Sequence, residues 1–143
     1  DGYKVDIDSL FTTFEDEGRD QIIIMKDIET YSFCRHHLLP FLISVSVGYL
    51  PAEKVIGASK IERLVLAYAH RLQLQERITE QVANTLMDKL KPRGVAVVIE
   101  GLHTCMSIRG VKSKNTKMVT SVSLGAFRES ESTRNEFLRL IGK

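Results

Sequence analysis

The sequence lacks any long apolar run. None of its stretches approaches the roughly 20 consecutive apolar residues that a membrane-spanning helix needs, and no charged-then-apolar signal peptide stands at its start. A large net charge is missing too, because 20 Lys and Arg side chains against 18 Asp and Glu leave a formal charge of +2. The chain therefore has no global field typical of a nucleic-acid or membrane binder. We predict partners of neither class and expect any anion site to be local.

Cysteine is also scarce, since the chain of 143 residues has only Cys34 and Cys105. Such sparse use without a secretory signal favours a reducing, cytoplasmic compartment, in which thiols serve as metal ligands or nucleophiles. A disulfide between the two cysteines is the alternative for an oxidising compartment. The chain begins at Asp1 and not at Met, which is compatible with a trimmed N-terminal segment.

The apolar fraction of 43% is sufficient for the core of one domain. Residues 1–19 are mostly polar and are interrupted by Gly2 and Gly18, so we predict an irregular lead-in, compatible with a truncated helical region. A single folded domain is predicted over residues 20–143. No internal repeat, linker or low-complexity segment is recognisable.

Hydrophobic periodicity predicts an α+β domain. Short β-branched or alternating runs predict strands over 21–25, 41–49, 95–99 and 118–127, and helical spacing predicts helices over 59–72, 75–90 and 132–141. Ser59 is the predicted N-cap of the first helix, and Leu72 is predicted on its apolar face. This order indicates an antiparallel four-stranded sheet with helices on one face, two of them between strands two and three. We expect oligomerisation to cover the two open sheet edges.

Both cysteines and three of the four histidines fall in two short segments, residues 34–37 and 103–105. Zinc takes thiolate and imidazole ligands, and a catalytic zinc site uses three protein ligands while a fourth position stays open. In a helical turn Cys34 and His37 would lie on the same side, whereas His36 would point elsewhere. We therefore predict that Cys34, His37 and Cys105 bind Zn²⁺.

That ligand set leaves His36 and His103 unligated beside the metal. Neutral imidazoles at such a place are suited to moving protons near a pH of about 7. A buried cysteine often behaves as a small apolar residue, so the second segment is needed to support the metal interpretation. His70, within the first predicted helix, is predicted to be a surface residue.

With these residues identified, the chain resembles the GTP cyclohydrolase I family from about Leu10 to Ile141. The resemblance is carried by Tyr31-Ser-Phe-Cys34, His36-His-Leu-Leu-Pro-Phe41, Gly48-Tyr-Leu-Pro51, Gly57-Ala-Ser-Lys60, Arg71-Leu-Gln-Leu-Gln-Glu-Arg77, His103-Thr-Cys-Met106 and Arg109-Gly-Val111. It implies conversion of GTP to 7,8-dihydroneopterin triphosphate and formate, the first step of pterin- and folate-type biosynthesis. It also implies the tunnelling fold (T-fold), a catalytic domain over 20–143, and a homodecamer whose sheets join into a barrel with active sites between subunits.

The resemblance also implies roles for single residues near the metal. Cys34, His37 and Cys105 match the zinc ligands, in agreement with the prediction from the residues themselves. His103 matches the proton donor to the purine ring, and His36 matches the histidine near the ribose. Zinc would activate the water that attacks C8 of the guanine, while His103 protonates N7.

Other matching positions concern substrate binding. Glu76, with Gln75, matches the residues that read guanine, and a carboxylate that accepts from the ring N1–H and the 2-amino group makes a two-point contact. A glutamate that stabilises its own helix N-terminus is the structural alternative. Positions that match triphosphate contacts are Lys60, Arg63 and Arg109, and Ser59 matches a residue near the ribose.

Arg35 departs from the family pattern, which usually has an acid between the cysteine and the paired histidines. This charge reversal supports an alternative, namely a catalytically weakened homologue that still binds GTP and zinc. A second alternative is another tunnelling-fold enzyme, such as a nitrile reductase that acts on deazapurines with a cysteine nucleophile and no zinc. A third is a zinc-binding interaction module, for which four protein ligands are expected.

Overall fold

The computed structural model describes residues 13–15, 21–34, 40–103 and 117–142. Within these ranges the elements, in chain order, are β1 (Thr13–Glu15), β2 (Ile23–Cys34), β3 (Pro40–Leu50), β4 (Lys54–Ile56), α1 (Ala58–Ala69), β5 (Leu72–Gln73), α2 (Gln75–Leu90), β6 (Gly94–His103), β7 (Met118–Gly125), α3 (Ala126–Glu129) and α4 (Glu131–Leu140). None of the helices among these residues is long and apolar enough to cross a membrane.

The main sheet has the strand order β5-β2-β3-β6-β7. Its four long strands are antiparallel to their neighbours, which confirms the predicted α+β class and four-stranded antiparallel sheet. The two-residue strand β5 is an addition, because Leu72 and Gln73 pair in parallel with Phe33 and Cys34. Leu72 therefore lies in a strand and not on the predicted helix, which ends at Ala69.

Helices cover both faces of the main sheet. Val97 and Ile99 of β6 pack in one cluster with residues of α1 and α2, whereas the intervening Val98 packs with Phe127 and Phe137 of α3 and α4. Successive side chains of a strand point to opposite faces, so α3 and α4 lie opposite the two long helices. The prediction of helices on one face holds for α1 and α2 only.

Strand β2 is longer than the β-branched run over 21–25 predicts, because the strand continues through a bulge. The register against β3 shifts between Met25 and Ile28. Within the bulge Asp27 has a φ of 58°, and its N–H donates to Ser46 Oγ over 3.2 Å. A bulge changes which side chains face the core, so the two parts of β2 do not share one alternating pattern. The strand itself continues to Cys34.

Further element ends differ from the predicted ones, and β6 extends to His103 although the predicted strand ended at Ile99. The N-cap of α1 is Gly57, whose oxygen accepts from Lys60 N at 3.0 Å, so Ser59 lies inside the helix and is not its cap. Strand β7 ends at Gly125, and residues 126–129 form the short helix α3, although the predicted strand continued to Phe127. Gly125 has a φ of 62°, which turns the chain out of the strand.

The predicted irregular lead-in contains a short strand. Residues 13–15 form β1, which pairs with β4 in a separate antiparallel ribbon, with Thr13 opposite Ile56 and Glu15 opposite Lys54. The remaining residues of 1–19 lie outside the described ranges. Its second strand, β4, lies in the chain between the end of β3 and the start of α1.

Candidate functional site

Cys34 and His103 lie at the same end of the main sheet. Cys34 is the last residue of β2, His103 is the last residue of β6, and β3 lies between these two strands. The register pairs Phe33 with Pro40 and Phe41 with His103. The first residues of both cysteine- and histidine-bearing segments therefore lie at one end of the sheet. We call this end of the sheet the Cys34 end.

Five residues singled out in the sequence lie outside the described ranges. They are Arg35, His36, His37, Cys105 and Arg109. Cys34 itself belongs to a strand, so the helical turn used to relate it to His37 does not include it. Among the residues that the structure describes, no group of three or more His, Cys, Asp and Glu could hold a metal ion. The donor chemistry of the two segments suits zinc, and the strand register brings their first residues, Cys34 and His103, to one end of the sheet.

The start of α2 also lies at the Cys34 end, because β5 pairs Gln73 with Cys34 and α2 begins two residues later at Gln75. Gln75 is only 1% exposed. Its amide nitrogen lies 3.1 Å from Ile99 O, 2.9 Å from Met118 O and 3.1 Å from Thr120 Oγ1. The group predicted to contact guanine thus bonds to β6 and β7 within the fold.

Glu76 is the next residue of α2, and its side chain is exposed. It is the acidic residue of the helix's first turn, where a carboxylate also interacts favourably with the helix dipole. Glu76 therefore follows directly on the residues at the Cys34 end, and its side chain is exposed to solvent. Both the binding role and the capping role are compatible with this position.

Ser59, Lys60 and Arg63 lie far from the Cys34 end. Helix α1 starts beside Tyr49, whose hydroxyl accepts from Ile56 N at 3.1 Å, and Tyr49 pairs with Ile23 at the opposite end of the sheet. The 12 residues of α1 rise by about 1.5 Å each, so the helix is roughly 18 Å long. One chain therefore does not bring these three residues next to Cys34.

The far end of α1 reaches the Cys34 end through His70 and Arg71. His70 is half-buried and stacks on Tyr31, with 4.9 Å between the ring centroids and 26° between the planes. Its Nε2 lies 3.1 Å from Thr30 Oγ1, and Ser32 Oγ donates to Arg71 O over 3.1 Å. The prediction of a plain surface histidine is therefore wrong, because the ring packs on β2.

Burial of His70 lowers its pKa below the ordinary value of 6.5. As the pH falls below about 6.5, the unfolded chain takes up a proton before the folded one does, so we expect this group to reduce stability between 6.5 and its lower folded pKa. His70→Gln should weaken the dependence of Tm on pH in that window. NMR titration of the His70 ring should give a midpoint below 6.5, and a higher midpoint would contradict the assignment.

An exposed apolar surface lies on the sheet face opposite α1 and α2. Tyr31, Leu42 and Val119 are 46%, 58% and 58% exposed. A groove of about 440 Å³ runs along this face and is also lined by Glu100 and Lys117, whose charged groups are 4.0 Å apart. The sequence indicated this face only through the alternation along β3, in which exposed Leu42 stands between two buried residues.

Comparison with known proteins shows the family of this chain. The family model described as GTP cyclohydrolase I matches residues 1–142. The chain belongs to this family. A GTP cyclohydrolase 1 from Methylococcus capsulatus is 53% identical over 99% of this chain and 77% of its own length. The human GTP cyclohydrolase 1 is 50% identical over 98% of this chain, which spans 56% of the human protein.

Solved structures show the fold of this GTP cyclohydrolase I family member. An archaeosine synthase QueF-Like structure in the apo form has a TM-score of 0.63 and 16% identity, and the match covers 76% of this chain and 97% of that one. Dihydroneopterin aldolase of E. coli, in complex with neopterin, has a TM-score of 0.54 and 11% identity, over 71% and 98% of the two chains. Both likenesses confirm the tunnelling fold, whereas the 53% identity to a cyclohydrolase separates this chain from other enzymes with that fold.

Proposed function

We propose that this chain catalyses the reaction for which its family is named, the conversion of GTP to formate and 7,8-dihydroneopterin triphosphate. The reaction would be the first step of a pterin- or folate-type route. The observation that carries the proposal is that Cys34, at the end of β2, and His103, at the end of β6, lie at the same end of the sheet. A reducing cytoplasm, which keeps thiolates available as ligands, is part of the same proposal.

Cys34, His37 and Cys105 would hold zinc as cofactor. Bound zinc would supply Lewis acidity and a nucleophilic water at the C8 position of guanine. His103 would donate a proton to N7, and His36 would contact the ribose. The backbone of His103 pairs with Phe41 in the sheet. A proton donor whose backbone belongs to a paired strand is held more precisely than one on a loop.

Substrate recognition would use both ends of the molecule. Glu76 would accept hydrogen bonds from N1–H and the 2-amino group of guanine, a charge-assisted pair that adenine does not offer. Lys60 and Arg63 would bind the triphosphate together with Arg109, and Ser59 would lie near the ribose. The N-terminal turn of α1 has no acidic residue and no side-chain cap, so its N–H groups are suited to an anion.

A complete site would need more than one copy of the chain. Because α1 carries Lys60 and Arg63 to the end of the sheet opposite Cys34, the triphosphate-binding groups would come from a neighbouring subunit. Among the described strands β7 has a sheet neighbour on one side only, and the apolar face around Leu42 is exposed. Both features support a homo-oligomer, for which we propose the decameric barrel of the family.

The test is incubation of the protein with GTP, with formate measured directly and the pterin measured by its absorbance after oxidation. We expect both products and about one zinc per chain, with activity lost on chelation and restored by zinc. Intact GTP at the end of the incubation would refute the catalytic proposal. If GTP binds and no formate appears, the chain is the weakened homologue, and Arg35→Glu should then raise the rate.

A further inference from the structure

A closed ring of hydrogen bonds joins the start of α2 to β7. Gln75 Nε2 lies 3.1 Å from Thr120 Oγ1, and Thr120 Oγ1 lies 2.7 Å from Thr79 Oγ1. The Thr79 hydroxyl donates to the main-chain oxygen of Gln75 itself over 2.9 Å. Gln75 and Thr79 are each 1% exposed, so most of the ring is shielded from water. Hydrogen bonds in such surroundings are strong, and leaving one unmade is costly.

The direction of every bond in the ring follows from the hydrogens available. Thr79 has one hydroxyl hydrogen, which it gives to Gln75 O, so Thr120 must donate in the bond between the two threonines. The oxygen of Thr120 then accepts from the Gln75 amide. Each hydroxyl therefore donates once and accepts once, an arrangement in which neighbouring bonds strengthen one another.

The Gln75 amide nitrogen extends the ring to two strands. It lies 2.9 Å from the oxygen of Met118, the first residue of β7, and 3.1 Å from the oxygen of Ile99 in β6. A side-chain amide nitrogen has two hydrogens, and here three acceptors inside the fold share them. Gln75 thus ties the first turn of α2 to both strands with the group that would otherwise be offered to a substrate.

A purely local explanation accounts for one bond only. A threonine inside a helix often bonds to the carbonyl four residues before it, as Thr79 does with Gln75. Thr120, however, stands 41 residues away from Thr79 and on another element. Its hydroxyl converts a local helix bond into a tertiary link between α2 and β7.

We propose that Gln75, Thr79 and Thr120 form a positioning ring that sets the place of the Glu76 carboxylate and hence the preference of the site for guanine. This inference rests on the proposed function, in which Glu76 contacts the base. Gln75 is then a positioning residue and not a direct reader of guanine. Glu76 follows Gln75 in the first turn of α2, so any shift of that turn against β6 and β7 moves the carboxylate as well.

The test is the ratio of kcat/KM for GTP to kcat/KM for inosine triphosphate, which lacks the 2-amino group. Thr120→Val keeps the shape of the side chain and removes the hydroxyl. We expect the ratio to fall about tenfold, equivalent to about 1.4 kcal/mol, mainly through a higher KM for GTP. Thr120→Ser, which keeps the hydroxyl, should have a ratio close to that of the wild type.

A second variant and a control separate positioning from general stability. Thr79→Ala opens the ring at another member with a residue that suits a helix, and it should lower the ratio as Thr120→Val does. Thr85→Val removes a similar bond of α2, because Thr85 Oγ1 lies 2.7 Å from Tyr68 Oη. This control should lower Tm and leave the ratio unchanged.

Two results would overturn the inference, and they can be told apart. An unchanged ratio in folded Thr120→Val or Thr79→Ala refutes the positioning role while the proposed function stands. A wild-type protein that neither binds nor converts GTP refutes the proposed function and the inference together. A lowered ratio in both variants, with Thr120→Ser restored and Thr85→Val unaffected, supports the positioning ring.

Discussion

Co-expression of two inactive variants is expected to restore formate release to roughly a quarter of the wild-type level. One variant, Cys34→Ala, lacks a predicted zinc ligand at the Cys34 end. The other, Lys60→Ala with Arg63→Ala, lacks two cations of the proposed triphosphate site on α1. Charge-assisted hydrogen bonds contribute about 1.5–3 kcal/mol each, so loss of two should lower kcat/KM by about a hundredfold or more. In random mixed assemblies, roughly one site in four would have both halves intact.

The matched control is co-expression of Cys34→Ala with Glu76→Ala. Both changes lie at the Cys34 end of the same chain, because Gln73 pairs with Cys34 and Glu76 follows at the start of α2. A site that takes both groups from one chain is never repaired by mixing these two variants. We therefore expect no recovery, as measured by formate release from the purified mixed assemblies. Equal recovery in both mixtures, or in neither, would contradict a site divided between chains along the length of α1.

Gly125→Ala is expected to lower the free energy of unfolding by about 3 kcal/mol or more, with a decrease in Tm of about 10 °C. Gly125 ends β7 with a φ of 62° and a ψ of −130°, a conformation that other residues rarely adopt. A Cβ atom there would collide with Arg93 O and lie 3.0 Å from Gly94 Cα. Arg93 O already accepts from Ala126 N at 2.9 Å, so the backbone has little freedom to move aside.

Gly142→Ala is the matched control for this change. Gly142 also has a positive φ, of 85°, but a Cβ atom at this position meets nothing within 4 Å. Its cost should be about 1 kcal/mol, the cost of the conformation alone. Thermal unfolding of all three proteins should be compared at one protein concentration, because association of subunits itself raises Tm. Equal losses in the two variants would show that the backbone contacts of Gly125 contribute nothing.

Much of the fold could be predicted from local patterns. Helix α2 runs over Gln75–Leu90 as its four-residue repeat predicts, and the alternation along β3 gives its bounds to within one residue, at Pro40–Leu50. Strand β2 was underestimated because its prediction rested on the β-branched run over 21–25, and the strand continues past a bulge at Asp27 into a more polar stretch. The helical periodicity of α4 shows that one of its faces is apolar. It does not show which side of the sheet that face packs against.

For the candidate site, the sequence predicts a chemistry and leaves most of the arrangement open. The clustering of two cysteines and three histidines around Cys34 and His103 predicts a metal site, and the strand register places Cys34 and His103 at one end of the sheet. The threonines of the positioning ring gave no signal, because their shared bond depends on contacts between residues far apart in the chain. The distance between Lys60 and the Cys34 end follows from the direction of α1. This direction cannot be predicted from the pattern of residues in the helix.

If the site is divided between subunits as proposed, the direction of α1 makes activity depend on protein concentration. In one chain, the groups that would bind the base and those that would bind the phosphates are separated by α1, which is roughly 18 Å long. A free monomer would therefore have two half-sites and no complete site. Specific activity should then fall on dilution once subunits separate, and it should recover on concentration by mass action. Each subunit would supply phosphate-binding groups to the site of one neighbour and a metal centre to a site shared with another. Inactivation of one subunit would therefore inactivate two sites of the assembly.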